Sequence, residues 1–327
     1  MALEAFEHQY LLVDAVLNGV SAIDMPQLTV RNRADAESLL ASYGYDWQDP
    51  TQKAELVRFL EEAIHFIENR FLTPDWQDGC PDRIPAPVRS QRDVLELLLS
   101  ASTPTPDRPW ACAVLKVMHG LVHIHHHPTL PFTPVARERI LSQFRAVIGS
   151  DNMLGDLPLV AYQEKSLKSR DSLLLKILCK KETVADDIRD LMGVRLVTET
   201  AEDTLTALEL LLKARLIVAP NIIPSRSRNT LIDWAYWQQH ATVLPPALAF
   251  SDHNPNSSES YRSIHITARQ LIRFGGVSLF FPYEIQLLDR ANYLESMVGD
   301  SAHQAYKRRK LTAARRRVLA GVLSEAP

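Results

Sequence analysis

Apolar residues recur at helical spacing through the first 150 positions of the chain. In DPTQKAELVRFLEEAIHFIENRF, Leu56, Phe59, Leu60, Ala63, Ile64 and Ile67 fall three or four apart, which gathers them on one face of a helix. Asp49 stands where a capping side chain accepts the first free amides, and Pro50 where a missing N–H costs nothing. SQRDVLELLLSAS, WACAVLKVMHGLVHI and TPVARERILSQFRAVIG repeat the pattern, with Ser90 and Thr133 as expected caps. The expectation for residues 1–150 is an all-helical domain.

From about residue 165 the period changes. KSRDSLLLKILCKK and DTLTALELLLKA predict helices, whereas GVRLVT (193–198), RLIVAPNII (215–223), YRSIHITA (261–268) and VSLFFPYEIQLL (277–288) have the β-branched and aromatic content of strands. Helices interleaved with several strands imply a mixed sheet flanked by helices over 151–327, so the fold class expected for the whole chain is α+β. A polar, Trp-containing stretch, 224–260, is long for a connection inside a compact domain, and such loops are usually functional or mobile. Along YRSIHI the alternation of a strand turns Tyr261, Ser263 and His265 to one face and Arg262, Ile264 and Ile266 to the other.

Composition narrows the class without naming a function. The 46% apolar and 23% charged residues are those of an ordinary globular protein. No apolar run approaches the roughly 18 residues of a spanning helix. The N-terminus lacks the positive region of a secretory leader, so a cytoplasmic location without membrane partners is expected. Cys80, Cys112 and Cys179 have no CxxC spacing, which argues against a disulfide framework and a structural zinc site. Residues 1–150 hold 13 Lys+Arg against 19 Asp+Glu, leaving 23 against 20 for the remainder. The basic excess peaks in HQAYKRRKLTAARRRVLAGVL, where Lys307, Arg308, Arg309, Lys310, Arg315, Arg316 and Arg317 form either a polyanion-binding cluster or the solvated face of a terminal helix.

Four patches in the second half carry side chains suited to phosphate chemistry. Lys168, Ser172 and Lys176 lie in SLKSRDSLLLK, Asp190 and Arg195 in DLMGVR, Tyr261 and His265 in YRSIH, and Glu284 and Gln286 in YEIQ. Carboxylates at strand boundaries suit a hard cation, lysines and arginines suit phosphates, and a tyrosine suits a base. A separate cluster, KVMHGLVHIHHHP, places His119 and His123 one helical turn apart with His125, His126 and His127 beyond. That geometry suits a transition metal, or else imidazoles closing a helix end; no acidic residue lies within the cluster itself.

The ordered set of patches resembles the synthetase region of the RelA/SpoT family of nucleotide pyrophosphokinases. SLKSRDSLLLK, DLMGVR, SYRSIH, EIQ and GDSAHQAYK follow the family's succession of motifs over roughly residues 165–310. The resemblance implies a nucleotidyltransferase-like domain that moves the β,γ-diphosphate of ATP onto the ribose 3′-hydroxyl of GDP or GTP, an alarmone synthesis that uses Mg²⁺. It implies Asp190 and Glu284 as metal ligands, with Glu284 also accepting the hydroxyl proton. Arg195 would stack on adenine, Lys168, Lys176 and Ser172 would contact triphosphate, and Tyr261, His265 and Gln286 would hold the acceptor. Two alternatives stand beside it: a toxin-like enzyme that modifies the 3′ end of tRNA through the basic C-terminal helix, and an inactive nucleotide-sensing module. The pattern departs from the family at Ser166, Ser260 and Leu288, where an Arg, a Gly and an Arg are usual.

Overall fold

A computed structural model describes residues 28–76, 79–179, 191–233, 235, 239, 262–298 and 300–324. It divides into two compact units that interleave along the chain: residues 1–126, 169–187 and 309–327 in the first, and 127–168 and 188–308 in the second. These units are drawn differently from the single division expected at 150. Residues 127–150 go with the sheet because the helix they form packs on it.

Among the described residues of the first unit the regular elements are all helices. Helices α1 (Arg33–Ser42), α2 (Pro50–Phe71), α3 (Val94–Ser100), α4 (Arg108–His125) and α6 (Arg170–Cys179) are joined by the C-terminal part of α9 (Asp300–Val318) and by α10 (Ala320–Ser324). Asp49 caps α2 as expected, accepting from the amides of Thr51 and Gln52. The predicted face, from Leu56 to Ile67, is buried. α3 is capped by Asp93, not Ser90, because the chain enters the helix three residues later and the Asp93 carboxylate meets the amide of Leu95. Gly120 of α4 lets α6 approach: a Cβ there would stand 2.7 Å from Leu174 Cδ1. Among the described residues no helix is long and apolar enough to cross a membrane.

The second unit is built on a five-stranded mixed sheet, which makes the fold α+β as the pattern predicts. Its order is β3 (Ala161–Glu164), β4 (Gly193–Thr198), β7 (Val277–Asp289), β6 (Ile264–Phe274) and β5 (Arg228–Asn229). Only β4 and β7 run parallel; the other neighbours are antiparallel. A small hairpin, β1 (Met153–Leu154) and β2 (Leu157–Pro158), precedes β3. β6 and β7 form a hairpin closed by Gly275 and Gly276, whose φ values of 56° and 81° match the left-handed two-residue turn that joins twisted strands.

One face of the sheet is apolar. Val194, Leu196, Ile264, Ile266, Ala268, Tyr283, Ile285 and Leu287 point that way and are buried against α5 (Thr133–Ile148) and α7 (Ala201–Lys213). The rings of Phe144 on α5 and Tyr283 lie 6.3 Å apart. Thr133 is the first residue of α5 and no side chain caps that end, so the cap expected there is absent; its hydroxyl donates to the Thr129 carbonyl instead.

RLIVAPNII is not a strand. The amides of Leu216 and Ile217 donate back to the Leu211 carbonyl and close α7, with Arg215 at a positive φ of 58°. Pro220, which lacks an amide for a ladder, sits in a 3₁₀ turn, and Ile222 makes only an isolated bridge to Ala268. Apolar content marked this segment as buried, which Leu216 and Ile217 are, but not as extended. Of the 224–260 stretch, the described part forms a 3₁₀ turn and the short edge strand β5.

Candidate functional site

The other face of the sheet carries a polar row. Register pairs Gln163 with Arg195, Arg195 with Gln286, Gln286 with His265, and His265 with Arg228, so five polar side chains cross all five strands at one level. Paired residues point to the same side of a sheet, and the hydrogen bonds bear this out. Arg195 donates through Nε and Nη2 to Gln286 Oε1 at 3.3 and 3.2 Å. Gln163 donates to the Tyr293 hydroxyl at 2.6 Å, which ties β3 to α8 (Arg290–Val298).

One step along the strands lies Glu284, level with Gly193 and Thr267. Its carboxylate is shared between two donors, Lys165 Nζ at 2.7 Å from Oε2 and His265 Nδ1 at 2.8 Å from Oε1. Because a carboxylate only accepts, the imidazole proton belongs on Nδ1. Gln286 Nε2 and Arg228 Nη2 each stand 3.4 Å from that same nitrogen. Gly193 makes the arrangement possible: a Cβ there would meet the Glu284 carbonyl oxygen at 2.8 Å and Lys165 Cδ at 3.3 Å.

The electrostatics follow from burial and pairing. Burial alone would raise the Glu284 carboxyl, but the Lys165 charge and the His265 hydrogen bond outweigh it and hold the group well below the usual carboxylate range. Burial pushes the His265 imidazole down, with Glu284 opposing, so it is neutral at neutral pH. Burial also lowers Lys165, again against Glu284. The result is an ionised carboxylate held by one ammonium and one neutral imidazole, beside a guanidinium–amide pair.

The structure thus brings Arg195, His265, Glu284 and Gln286 together. Lys168 is exposed in the same unit, close enough for its charge to oppose that of Lys165. Ser172 and Lys176 belong to α6 of the first unit. Ser172 is exposed with its hydroxyl 2.9 Å from that of Ser169, whereas Lys176 is buried, where a cation open to phosphate was expected. Asp190 and Tyr261 lie outside the described residues. Ser263, expected on the polar face, is buried at the start of β6 and exchanges hydrogen bonds with Thr230.

Lys165 is the residue that pattern reading passed over. Its amide donates to the Gly193 carbonyl, continuing β3 past its last paired residue, and this aims the side chain at Glu284. The only sequence signal is its place at the head of the basic segment. Arg228 and Tyr293 reach the row through β5 and α8, and no spacing in the sequence announced either.

A model of the region found in RelA/SpoT proteins matches residues 165–311. The chain carries a RelA/SpoT region. The matched span opens on Lys165 itself and contains Arg195, His265, Glu284 and Gln286. No curated protein matches the chain. Among solved structures, the chain is similar to small alarmone synthetase 1 from Bacillus subtilis, with a TM-score of 0.37 and 15% identity over 59% of this chain and 87% of that one. A GTP pyrophosphokinase family protein from Streptococcus pneumoniae gives 0.35 and 15% over 61% and 87%. Small alarmone synthetase 2 from Bacillus subtilis gives 0.34 and 15% over 63% and 93%.

Two family departures acquire a structural setting in this RelA/SpoT region. Leu288 is fully buried on β7, where a guanidinium would have no water, and Ser166 is exposed next to Lys165. Two members of the basic C-terminal cluster are taken up by the fold, while Lys307, Arg308, Arg309 and Arg316 are exposed. Arg315 is 2% exposed, donates to the Phe71 carbonyl at 2.6 Å and lies over the Trp76 ring. Arg317 donates to the carbonyls of Ile177 and Leu178, leaving Arg316 as the exposed member of the three.

Proposed function

We propose that the RelA/SpoT region transfers the β,γ-diphosphate of ATP to the ribose 3′-hydroxyl of GDP or GTP. The observation that carries this reading is the ionised Glu284 carboxylate, held between Lys165 and His265 beside the Arg195–Gln286 pair, inside the matched region. Such a transfer needs little covalent help from the protein. It needs positioning and neutralisation of phosphate charge.

In this reading Arg195, half-buried on β4 beside the central strand, offers a planar cation for the adenine or for phosphate oxygens, and Gln286 sets its plane. Lys165 and Lys168 attract the triphosphate, and His265 holds the orientation of Glu284. With its pKa so far depressed, Glu284 is a weak base while Lys165 is bound to it. A triphosphate that draws Lys165 away frees Oε2 and makes the carboxylate more basic, so substrate arrival itself prepares the group that receives the hydroxyl proton.

Mg²⁺ belongs to this reading, and Glu284 fits it: a hard oxygen donor kept ionised at neutral pH. Glu284 and Asp190 would hold the ion, which supplies charge neutralisation on the phosphates.

The test is incubation of the purified chain with γ-labelled ATP, Mg²⁺ and either GDP or GTP. Label is expected on the guanine nucleotide with the wild-type protein and not with a folded Glu284→Gln variant. Calorimetric nucleotide binding without labelled product over long incubation would overturn the reading in favour of an inactive nucleotide-binding module.

A further inference from the structure

A second cluster of ligating side chains lies in the helical unit, away from any residue used above. Glu55 projects from the second turn of α2, and His125 and His126 end α4. Both imidazoles turn Nε2 to the same carboxylate: His125 stands 3.3 Å from Glu55 Oε2 and His126 3.0 Å from Oε1. One ligand atom from each residue can be chosen so that all lie within 4.8 Å of one another. The acidic ligand missing from the histidine-rich stretch is thus supplied by another helix.

We propose that Glu55, His125 and His126 form a binding site for a divalent transition metal of the zinc class. Zinc holds imidazole nitrogen and carboxylate oxygen at about 2.0–2.1 Å in a tetrahedron, whose edges are then about 3.3 Å. Each N–O separation is close to that edge, though to a different oxygen of the carboxylate, so loading requires the two exposed rings to draw in from within 4.8 Å and close on one point. Two imidazoles exclude magnesium and calcium, which select oxygen, and with one carboxylate they suit zinc.

The surroundings are those of a supported site. The Tyr45 hydroxyl, on a buried side chain, donates to Glu55 Oε1 at 2.8 Å and stands 2.9 Å from His126 Nε2, so the carboxylate is oriented from behind. The Phe59 ring meets His125 edge-on at 5.2 Å and limits its rotation. Three protein ligands leave a fourth position for water or another small ligand. A metal there would clamp the start of α2 to the end of α4, the most extensively packed helix pair of this unit.

The experiment is equilibrium dialysis of the chelator-treated full chain against Zn²⁺, with Co²⁺ as a spectroscopic probe. One bound equivalent is expected, with the intense visible absorption of tetrahedral Co²⁺. Glu55→Gln and His126→Ala should each weaken binding by at least about 100-fold, and Tyr45→Phe by about 10-fold. The His119→Ala/His123→Ala double variant should bind as wild type. X-ray absorption of the zinc-loaded wild type, which needs no variant to fold, should show two imidazoles and an oxygen shell. Failure of the wild type to retain Zn²⁺, a sulfur shell, or full affinity in Glu55→Gln would overturn the site and leave a metal-free hydrogen-bonded cluster.

Discussion

Replacing Lys165 with methionine separates the charge pair at Glu284 from the rest of the sheet. At the observed 2.7 Å and an effective dielectric near 20, the gross attraction is about 6 kcal/mol. Much of that is offset, because burial lowers Lys165 in spite of its partner while Glu284 gains from the same contact. The side chains are 27% and 18% exposed, between the surface pairs that contribute under about 1 kcal/mol and the buried ones whose disruption costs about 3–5 kcal/mol. The expected loss at pH 7 is therefore about 1–3 kcal/mol, read by urea unfolding of wild type and variant. The sign with pH follows from the direction of the Glu284 shift. A carboxyl depressed in the folded state stabilises above its unfolded pKa, about 4.3, and loses that contribution as the pH falls through its folded value. Lys165→Met removes a main cause of the depression, so the gap between the two proteins should be full at pH 7 and narrow below about pH 4. A Lys165→Met/Glu284→Gln double variant removes both charges and should recover part of the loss. A gap under about 0.5 kcal/mol at pH 7, or one that is indifferent to acid, would refute the reasoning.

Two further outcomes are expected from the packing. Gly193→Ala would push a methyl against the Glu284 carbonyl, which cannot rotate away, so a loss of about 1–3 kcal/mol by urea unfolding is expected, together with loss of any diphosphate transfer. Arg315→Met would strip the Phe71 carbonyl of its donor inside the helical unit and cost about 2–3 kcal/mol by thermal unfolding, whereas Arg316→Met, at an exposed position, should stay within about 0.5 kcal/mol.

The family motifs and the strands that carry most of them were legible in the chain alone. Glu284, Gln286 and His265 sit two residues apart or at the head of strands whose apolar neighbours alternate with them, and alternation is a local property that the pleat converts directly into faces. For the same reason the helices from Pro50 and from Arg108 could be placed from spacing, with the cap at Asp49. Where several local outcomes satisfy one composition, spacing misled: RLIVAPNII is apolar enough for a strand, yet Pro220 and the closing bonds of α7 make it a turn.

By itself, the order of residues determined that this chain pairs a helical region with a mixed-sheet region, and that the latter carries RelA/SpoT motifs. Only the tertiary structure decided that Lys165 rather than a motif lysine grips Glu284, and that Gly193 leaves room for the contact. It also decided that Arg315 and Arg317 serve the fold, and that Glu55 joins two histidines some 70 positions away. The physical reason is the same in each case. Periodicity specifies which way a side chain faces from its own element, whereas charge pairing and ligation depend on which other element lies opposite. That is set by sheet register and helix packing across the whole chain.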